Sequence, residues 1–408
     1  MDRCGDRSGH SPTASRRPLE GIRVVDMTRI LAGPFCALLL ADLGADIIKL
    51  ESREGDPSRQ AGPFKNKFSL HFAGVNRNRK SITLDLREAE GKRVFADLVR
   101  HSDVVLENFR PGVMKSLGLD YDALKAIKPD IIMVSISGYG QYGPYVNRSA
   151  HNQIVMAFSG VTELTGYPDR PPVRSAIAMG DLSAGNYAAL GTVSALFHRQ
   201  LTGEGQHVDV GMMDAVVSYL ATNITEYSGS GVLPTRQGNI QPHRSPHNMY
   251  KAKDGYVYIT AALDSEWERV AKIIGREDML SDPRFNSVSA RGNNREAVDE
   301  VVGNWVGQHT ATEVVTILND AKVPCAPVNT VAEMLEDPQV KAREIVQETE
   351  HPQLGNIKVV GPVLKFSSVP KGKLVPAPTL GEHNDEVYGG LLGYPAEKLA
   401  QLRRDGII

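Results

Sequence analysis

The stretch IRVVDMTRILAGPFCALLLADLGADIIKL, residues 22–50, decides the fold class of this chain. Residues 22–27 have the character of a buried strand, residues 34–43 that of a packed helix, and residues 46–50 that of a second strand. A strand, a helix and a second strand within about 30 residues predict one βαβ unit with parallel strands. The alternation continues along the chain, with strand-like runs at residues 81–86, 103–106, 130–136 and 207–211. We therefore expect a large α/β domain built on a doubly wound parallel sheet.

The turn after the first strand is where a dinucleotide-binding fold carries its glycine-rich phosphate loop. In this chain the turn reads DMTRILAGPF, residues 26–35, with one glycine followed by a proline. This pattern does not match GxGxxG, so neither a nicotinamide nor a flavin site is expected here.

The charge balance excludes several classes of partner. The 408 residues include 46 Lys and Arg against 48 Asp and Glu, which gives a formal net charge of −2. Proteins that bind nucleic acids or membrane surfaces carry a basic excess or a basic face, so neither partner is expected. No apolar stretch reaches the ~20 residues that a membrane span requires. An anionic ligand must therefore be held by a local cluster of cations.

The cysteines indicate the compartment. Cys4, Cys36 and Cys325 form no CxxC pair and have no histidines at ligand spacing. Neither a disulfide framework nor a structural metal site is supported by this pattern. A reducing, cytoplasmic location fits best.

Changes in composition suggest how the chain is divided. Residues 1–17 are polar, and we expect them to be a disordered leader. Residues 18–225 belong to the large domain, and residues 226–235 resemble a linker because they are rich in glycine and serine. Residues 236–335 carry a predicted hairpin and amphipathic helices, which indicates a smaller α+β domain.

Asp181 is the carboxylate with the most reactive setting, within AMGDLSAGNYAALG, residues 178–191. One interpretation is structural, because an Asp at a helix start accepts hydrogen bonds from the free N–H groups of the first turn and stabilises the helix by ~1 kcal/mol. The other is catalytic, because the neighbouring glycines and small residues leave room for a bulky ligand to reach a nucleophile or general base. The residues alone leave both interpretations open.

Three polar segments are expected to share a site. Two arginines and a lysine lie close together in NRNRK, residues 76–80, and such a cluster suits a phosphate-bearing ligand, although an exposed loop would look the same. The segments GDPSR, residues 55–59, and ENFRPG, residues 107–112, follow strand ends. Open α/β sheets bind their ligands at such strand ends.

Histidines offer further candidates. His151 and Asn152 stand at the start of a predicted helical segment, where a lone histidine is often a surface or capping residue. His151 is also the best-placed titratable partner for Asp181, since imidazole transfers protons near neutral pH. His243 and His247 have a spacing that two metal ligands could use, but no third ligand is evident, and we interpret them as loop residues.

The motifs become specific when they are taken in order. From about residue 18 to the C-terminus the chain carries LEGIRVVDMTRILAGPF, LADLGADIIKLE, GDPSR, NRNRKSITLDL, ENFRPG, SGYGQYGP, AMGDLSAG, TGEGQHVDVGMMDA, VPCAPV, HPQLG and PTLGEH. This series closely resembles the class III CoA-transferases of the CaiB/BaiF type. That family includes formyl-CoA:oxalate, carnitine and succinyl-CoA:dicarboxylate CoA-transferases, with α-methylacyl-CoA racemase as an isomerase relative.

The resemblance implies a fold and an assembly. The expected large domain is Rossmann-like and built from both ends of the chain, so that residues 336–408 return to complete it after the small domain. The expected assembly is an interlocked homodimer in which each subunit is a ring threaded through the other.

The resemblance also implies covalent catalysis by Asp181, in which the carboxylate attacks an acyl-CoA thioester to give a mixed anhydride and a CoA thiolate. The thiolate then forms an aspartyl-CoA thioester, from which an acceptor acid collects CoA by the reverse steps. The partners are an acyl-CoA and a small carboxylic acid, and the CoA ester is a substrate rather than a tightly bound cofactor.

The resemblance extends to the residues that would bind the CoA ester. The candidates for its phosphates and for the channel to Asp181 are Arg77, Arg79, Lys80, Arg110, Lys115, Arg59, Leu31, Ala32 and Met212.

The chain departs from many family transferases at His151 and Asn152, where they have a tyrosine followed by an acidic residue. The missing acid puts the positioning of the acceptor in question, and a histidine at this place resembles the racemase relatives, where it acts as a second base. The leading hypothesis is CoA transfer, with succinyl-CoA as one candidate donor. The alternatives are an α-methylacyl-CoA isomerase that uses His151 and Asp181, and a CoA-ester binding protein without activity.

Overall fold

The computed structural model of the protein describes residues 16–408. The expected leader, residues 1–17, lies outside the described residues except for its last two positions. The strands are β1 (Arg23–Asp26), β2 (Asp46–Glu51), β3 (Phe64–Lys65), β4 (Phe68–Ser69), β5 (Lys80–Thr83), β6 (Val104–Glu107), β7 (Ile132–Ser137), β8 (His207–Gly211), β9 (His247–Lys251), β10 (Tyr256–Thr260), β11 (Cys325–Pro327), β12 (Val346–His351) and β13 (Gly355–Val360).

The helices alternate with these strands in the first half of the chain. They are α1 (Ala32–Asp42), α2 (Leu70–Val75), α3 (Ala89–Arg100), α4 (Val113–Leu117), α5 (Tyr121–Ile127), α6 (Asn152–Phe158), α7 (Met179–Thr202), α8 (Met212–Ser218), α9 (Ala221–Ser230), α10 (Asp264–Ile273), α11 (Val288–Asn293), α12 (Arg295–Val306), α13 (Ala311–Asp320), α14 (Val331–Glu336), α15 (Pro338–Ala342) and α16 (Ala396–Arg404).

The main sheet confirms the expected fold class. Its strand order is β5-β2-β1-β6-β7-β8, and the neighbouring strands are paired in parallel. The chain first adds strands on one side of β1 and then continues from β6 on the other, which is the Rossmann order. The direction reverses between β1 and β6, and ligands of such sheets bind beyond the carboxyl ends of the strands at this point.

The sheet is buried on both faces, which explains why its strands are nearly continuous apolar runs. Val24 and Ile47 face a core that includes residues of α1 and α7. The next residues along the strands, Val25 and Ile48, point to the other face and pack with residues of α3 and α16.

The described part of the chain divides into two compact units, one of residues 16–161, 175–229 and 343–408 and the other of residues 162–174 and 230–342. Residues 162–174, which the sequence predicts in the large domain, group with the smaller unit in the structure. Residues 226–230, which resemble a linker in sequence, belong to α9.

The C-terminal segment is part of the larger unit. Its backbone N–H at His383 donates a 2.9 Å hydrogen bond to the carbonyl of Ser81, and the Tyr388 hydroxyl donates a 2.8 Å bond to the carbonyl of Thr83. Both acceptors lie on the edge strand β5.

The smaller unit has its own sheet and core. Strands β9, β10 and β11 form an antiparallel sheet, and the buried Trp267 of α10 lies in its core. The buried Arg291 donates hydrogen bonds to the carbonyl groups of Ser245, Phe285 and Ala262, which ties three loops of this unit together.

Within residues 16–408 no helix is both long and apolar enough to cross a membrane. In the same range no group of three or more His, Cys, Asp or Glu side chains could hold a metal ion.

Candidate functional site

Asp181 lies in the first turn of α7, and the N-cap position of this helix falls on Ala178 rather than on Asp181. The capping interaction comes from another helix, because the Asn152 Oδ1 atom of α6 accepts a 2.7 Å hydrogen bond from the Gly180 N–H. The Asp181 carboxylate is therefore not needed to cap α7. Its place near the positive end of the helix favours the ionised form.

The glycines around Asp181 permit close packing of backbone on backbone. A Cβ atom at Gly185 would lie 2.7 Å from the Ala32 carbonyl oxygen and 2.9 Å from the Phe35 ring, so no side chain fits there without movement. The start of α7 is thus held against the start of α1, directly after β1. This contact places Gly185, about one turn after Asp181, against Ala32 at the carboxyl edge of the sheet.

The loop between β1 and α1 contains a residue with an unfavourable backbone conformation. Ile30 has a φ of 67°, in the left-handed region that β-branched residues rarely adopt. Its N–H donates a 3.1 Å hydrogen bond to Asp56 Oδ1, and the buried Lys49 donates a 2.8 Å bond to the carbonyl of Thr28. Backbone strain of this kind is common next to binding sites.

The pKa of Asp181 is raised to about 6, mainly because burial disfavours the charged carboxylate. Positive charge on His151, and to a lesser extent on His71, acts in the opposite direction. A carboxylate with this pKa is largely ionised above neutral pH and is poorly hydrated, which are the properties of an activated oxygen nucleophile.

The two histidines come from different elements. His151 is exposed at the N-cap position of α6 and makes no capping hydrogen bond with its side chain. His71 is half-buried in α2, and sequence reasoning missed it. Only the packing of α2 against α1 brings it near Asp181, and the available signal was no more than a histidine in an apolar segment, LHFAGV.

The predicted cation cluster at residues 76–80 is buried rather than exposed. Both terminal nitrogens of Arg77 bond to the carboxylate of Asp42, with 2.7 Å between Nη2 and Oδ2. Arg79 pairs with the buried Asp26 at 2.8 Å. These guanidinium groups already have internal partners, which is a structural role that the local sequence did not indicate.

Arg59 and Lys80 are likewise engaged. Arg59 makes two 2.7 Å hydrogen bonds to Glu51, and its guanidinium lies 3.8 Å from the centre of the Phe72 ring. Lys80 pairs with Asp46 at 3.1 Å at the amino ends of β5 and β2, the sheet edge opposite to the one beside Asp181.

A different set of cations follows the carboxyl ends of the strands. The exposed residues are Arg29 after β1, Arg53 after β2, Arg87 after β5 and Arg110 after β6, with Lys115 on α4. Arg110 and Lys115 are among the residues predicted from the sequence, whereas Arg29, Arg53 and Arg87 are not. Their shared position, two to four residues after a strand of one parallel sheet, was the signal that could have found them.

The loops that carry these cations are linked to each other. Asn108 accepts a 2.8 Å hydrogen bond from the Arg29 N–H and donates a 2.9 Å bond to the Arg29 carbonyl. The Arg29 guanidinium lies 5.0 Å from the centre of the Phe109 ring. The β1 and β6 loops thus form one surface at the switch point of the sheet.

A cavity of about 550 Å³ adjoins this surface, and Arg110 and Lys115 line it. Glu107 also lines this cavity, and burial raises the pKa of its carboxyl to about 7. Ser135 Oγ and His207 Nε2, which also line it, are hydrogen-bonded at 2.8 Å.

Met212 is buried at the start of α8, in the core shared with α1 and α7. Of the predicted site residues, Asn152 is hydrogen-bonded to the residue before Asp181, and Ala32 lies against Gly185 about one turn further along α7.

Comparison with known proteins identifies the family. Residues 19–384 match the model of CoA-transferase family III. The chain is 40% identical over 395 residues to a succinyl-CoA–D-citramalate CoA-transferase of Chloroflexus aurantiacus, covering 96% of this chain and 98% of that protein. It is 34% identical over 382 residues to a succinate–glutarate CoA-transferase of Agrobacterium fabrum, covering 92% of this chain and 96% of that protein.

A solved structure supports the same assignment. A CaiB/BaiF family protein from Brucella suis superimposes with a TM-score of 0.84 at 35% identity, over 92% of this chain and all of that one. The chain belongs to CoA-transferase family III, and its substrates are therefore CoA esters. The expectation of a class III CoA-transferase is confirmed.

Proposed function

We propose that this protein transfers CoA from succinyl-CoA to a small dicarboxylic acid, with Asp181 as the nucleophile. The observation that carries the proposal is the environment of the Asp181 carboxyl. Tight packing of α7 on α1 holds it at the carboxyl edge of the sheet. It is largely buried there, and burial raises its pKa to about 6. The names of the relatives from Chloroflexus aurantiacus and Agrobacterium fabrum support the choice of donor and acceptor class.

The proposed reaction conserves charge at each step. An Asp181 oxygen attacks the thioester carbon, the C–S bond breaks, and a mixed anhydride and CoA thiolate form. The thiolate attacks the aspartyl carbonyl, which releases the donor acid as its carboxylate and leaves an aspartyl-CoA thioester. The acceptor carboxylate repeats these steps in reverse. No net proton or redox change is required, and the site must only keep Asp181 ionised and exclude water.

The CoA ester is proposed as a dissociable substrate whose phosphates bind at the carboxyl edge of the sheet. Arg110, Lys115 and Arg29 are the proposed contacts, supported by their exposure and by the link between the β1 and β6 loops. Arg77 and Arg79 are kept out of this proposal because their guanidinium groups are bonded within the protein.

An interlocked homodimer remains part of the proposal. It is supported by large apolar side chains that α7 leaves exposed, namely Tyr187, Leu190, Phe197 and Leu201. An exposed apolar surface of this kind marks a protein interface. Native mass spectrometry should give a dimer that does not exchange subunits until it unfolds, whereas a monomer would contradict this part.

A reducing, cytoplasmic location is also proposed, supported by the absence of a disulfide at Cys36 and Cys325.

The decisive experiment measures CoA exchange by mass spectrometry, with succinyl-CoA and unlabelled or ¹³C-labelled C4 to C6 dicarboxylic acids. Exchange should occur in the wild type and be lost in Asp181→Ala, while the exposed Asp320→Ala should behave as wild type. Hydroxylamine trapping should mark Asp181 in the presence of succinyl-CoA. Full exchange by Asp181→Ala would remove Asp181 as the nucleophile.

The isomerase alternative is favoured by one observation, the position of His151 directly before Asn152, whose side chain accepts a hydrogen bond from the Gly180 N–H next to Asp181. It predicts solvent deuterium at the α-carbon of a 2-methylacyl-CoA when no acceptor acid is present. Deuterium uptake without CoA exchange would replace the proposed function by this one.

A further inference from the structure

The loop between β1 and α1, residues 27–31, joins the two parts of the candidate site. It carries Arg29, whose backbone exchanges two hydrogen bonds with the side chain of Asn108 in the β6 loop. Directly after the loop, the carbonyl oxygen of Ala32 lies against Gly185 of α7, where a Cβ atom would be only 2.7 Å away. The conformation of this loop therefore sets how Arg29 lies relative to the helix that carries Asp181.

The conformation of the loop is not one that its own sequence favours. Ile30 has a φ of 67°, and in this left-handed region the Cβ atom of an L-residue lies too close to the following carbonyl oxygen. A β-branched side chain makes such a conformation rarer still. It persists only where contacts with the surrounding structure hold it in place.

A buried ion pair supplies those contacts. The Lys49 Nζ atom lies 2.9 Å from Asp56 Oδ2, and both side chains are fully buried. Lys49 also donates a 2.8 Å hydrogen bond to the carbonyl of Thr28, and Asp56 Oδ1 accepts a 3.1 Å bond from the Ile30 N–H. The pair therefore holds the backbone on both sides of Arg29.

The pair is itself fixed in the sheet. Lys49 lies on β2, and the Asp56 N–H donates a 2.9 Å hydrogen bond to the carboxylate of Glu51 at the end of that strand. Asp56 Oδ1 also accepts bonds of 2.8 Å from both the N–H and the hydroxyl of Ser58. Apolar side chains of similar size would often stabilise the protein as well as a buried ion pair, but they could not hold two backbone groups of the loop by hydrogen bonds.

We propose that Lys49 and Asp56 are positioning residues for the CoA ester, because they hold the β1–α1 loop in the conformation that presents Arg29 to its phosphates. This inference rests on the part of the proposed function that places the phosphates at this edge of the sheet. Without the pair the loop relaxes, and the binding conformation becomes a minor one. The apparent affinity for the CoA ester then falls in proportion to the population of that conformation.

The test measures the Kd of desulfo-CoA, which has the phosphates but lacks the reactive thiol, by isothermal titration calorimetry. Lys49→Met/Asp56→Ala removes both members of the pair, so that no unpaired buried charge remains. We expect Kd to rise about tenfold, because the left-handed conformation of a non-glycine residue is disfavoured by a factor of this size. Adding Ile30→Gly should recover at least about threefold of this loss, since glycine adopts a positive φ without strain.

Lys322→Gly is the matched control, added to the same double variant. Lys322 is an exposed residue of the smaller unit with a φ of 58°, so glycine relieves the same kind of strain outside the loop. It should leave the raised Kd unchanged. An equal recovery by Lys322→Gly and Ile30→Gly would indicate general stabilisation and overturn the inference.

Ile30→Pro keeps the test valid even where the double variant does not fold, because it changes an exposed residue and leaves the buried pair in place. Proline fixes φ near −65° and excludes the observed conformation, so Kd should again rise about tenfold or more. In the exchange assay, KM for succinyl-CoA should rise with Kd in each variant. The value of kcat should change less than about threefold, because bound substrate selects the binding conformation of the loop.

The outcomes separate the two proposals. An unchanged Kd in Ile30→Pro or in Lys49→Met/Asp56→Ala would overturn the inference, and so would a fall in kcat with unchanged KM, which is the result of a merely structural role. A wild type that binds desulfo-CoA but exchanges CoA with no acid would instead overturn the proposed function, while the Kd values would still decide the role of Lys49 and Asp56.

Discussion

The Asn152 Oδ1 atom accepts a 2.7 Å hydrogen bond from the Gly180 N–H, so the helix that carries Asp181 is capped by a residue of α6. The contact is close, because a Cβ atom at Gly180 would lie 2.9 Å from the same oxygen. An amide performs this task without adding charge. An acidic residue at this position would place a second carboxylate beside Asp181.

Asn152→Asp should raise the pKa of Asp181, because like charges disfavour ionisation. We expect the acid limb of the pH profile of kcat/KM for CoA transfer to move to higher pH by about one unit, while Asn152→Ala should cost about 1 kcal/mol of stability through the lost cap. Asn304→Asp, on the exposed face of α12, is the control. An unchanged pH profile in Asn152→Asp would contradict an electrostatic effect of this position on Asp181.

The wild-type pH profile should follow ionisation of Asp181. The proposed nucleophile is the ionised carboxylate, so kcat/KM should fall as the pH decreases through about 6, the raised pKa of this group. A stopped assay of CoA exchange between pH 5 and 8 measures this limb. A profile that stays flat down to pH 5 would be incompatible with a carboxylate of that pKa as the nucleophile.

The same pKa predicts a stability cost at the site. Because the folded-state pKa of Asp181 lies above the ordinary value of 3.8, the carboxyl lowers stability as the pH rises from about 4 through about 6. Asp181→Asn should therefore be inactive but more stable by about 1–2 kcal/mol at pH 7.5, with the gain vanishing near pH 4. Urea unfolding at the two pH values checks this, and a gain independent of pH would point to another cause.

Glu107, a residue away from Asp181, also has a raised pKa and gives a second prediction for stability. Its folded-state pKa of about 7 lies above the ordinary 4.5, so its contribution to stability is lost as the pH rises from about 4.5 through 7. Glu107→Gln should raise the free energy of unfolding by about 1–3 kcal/mol at pH 8 and by much less at pH 5. The Phe109 N–H that bonds to Glu107 can still bond to the amide oxygen.

The buried Arg79 should stabilise the folded protein. Arg79→Leu leaves the carboxylate of Asp26 buried without its partner and frees the end of α2, so we expect a loss of about 3–5 kcal/mol. The double variant Asp26→Leu/Arg79→Leu should recover part of that loss, because no uncompensated charge remains. Full stability of Arg79→Leu in urea unfolding would show that the ion pair is dispensable.

The exposed cations at the carboxyl edge of the sheet should strengthen binding of the acyl-CoA. Arg110→Gln and Lys115→Gln should each raise KM for the acyl-CoA by about three- to tenfold and make KM less dependent on salt concentration. Both kcat and the free energy of unfolding should change little. Arg100→Gln is the control, because Arg100 ends α3 at the opposite edge of the sheet. Unchanged KM and salt dependence in both edge variants would remove them from the phosphate site.

The sequence by itself determined the fold class and singled out the proposed nucleophile. The βαβ pattern of residues 22–50 depends on which side chains are apolar and how they alternate, and this information is local. Asp181 was found because its glycine-rich context is contiguous and because the ordered motifs resemble one family. Arg110 and Lys115 could be placed near the carboxyl edge, and so predicted as ligand contacts, because the loop after a parallel strand has a predictable place in such a sheet.

Only the tertiary structure decided which charged groups are free. NRNRK looks like a solvated loop, yet Arg77 pairs with Asp42, 35 residues earlier, and Arg79 with Asp26, 53 residues earlier. The same holds for His71 of α2, whose charge acts on the Asp181 carboxyl only in the folded protein. Whether a cation is buried in an ion pair or open to a ligand depends on partners distant in the chain, since electrostatic pairing is set by distances in space and not by neighbours in sequence.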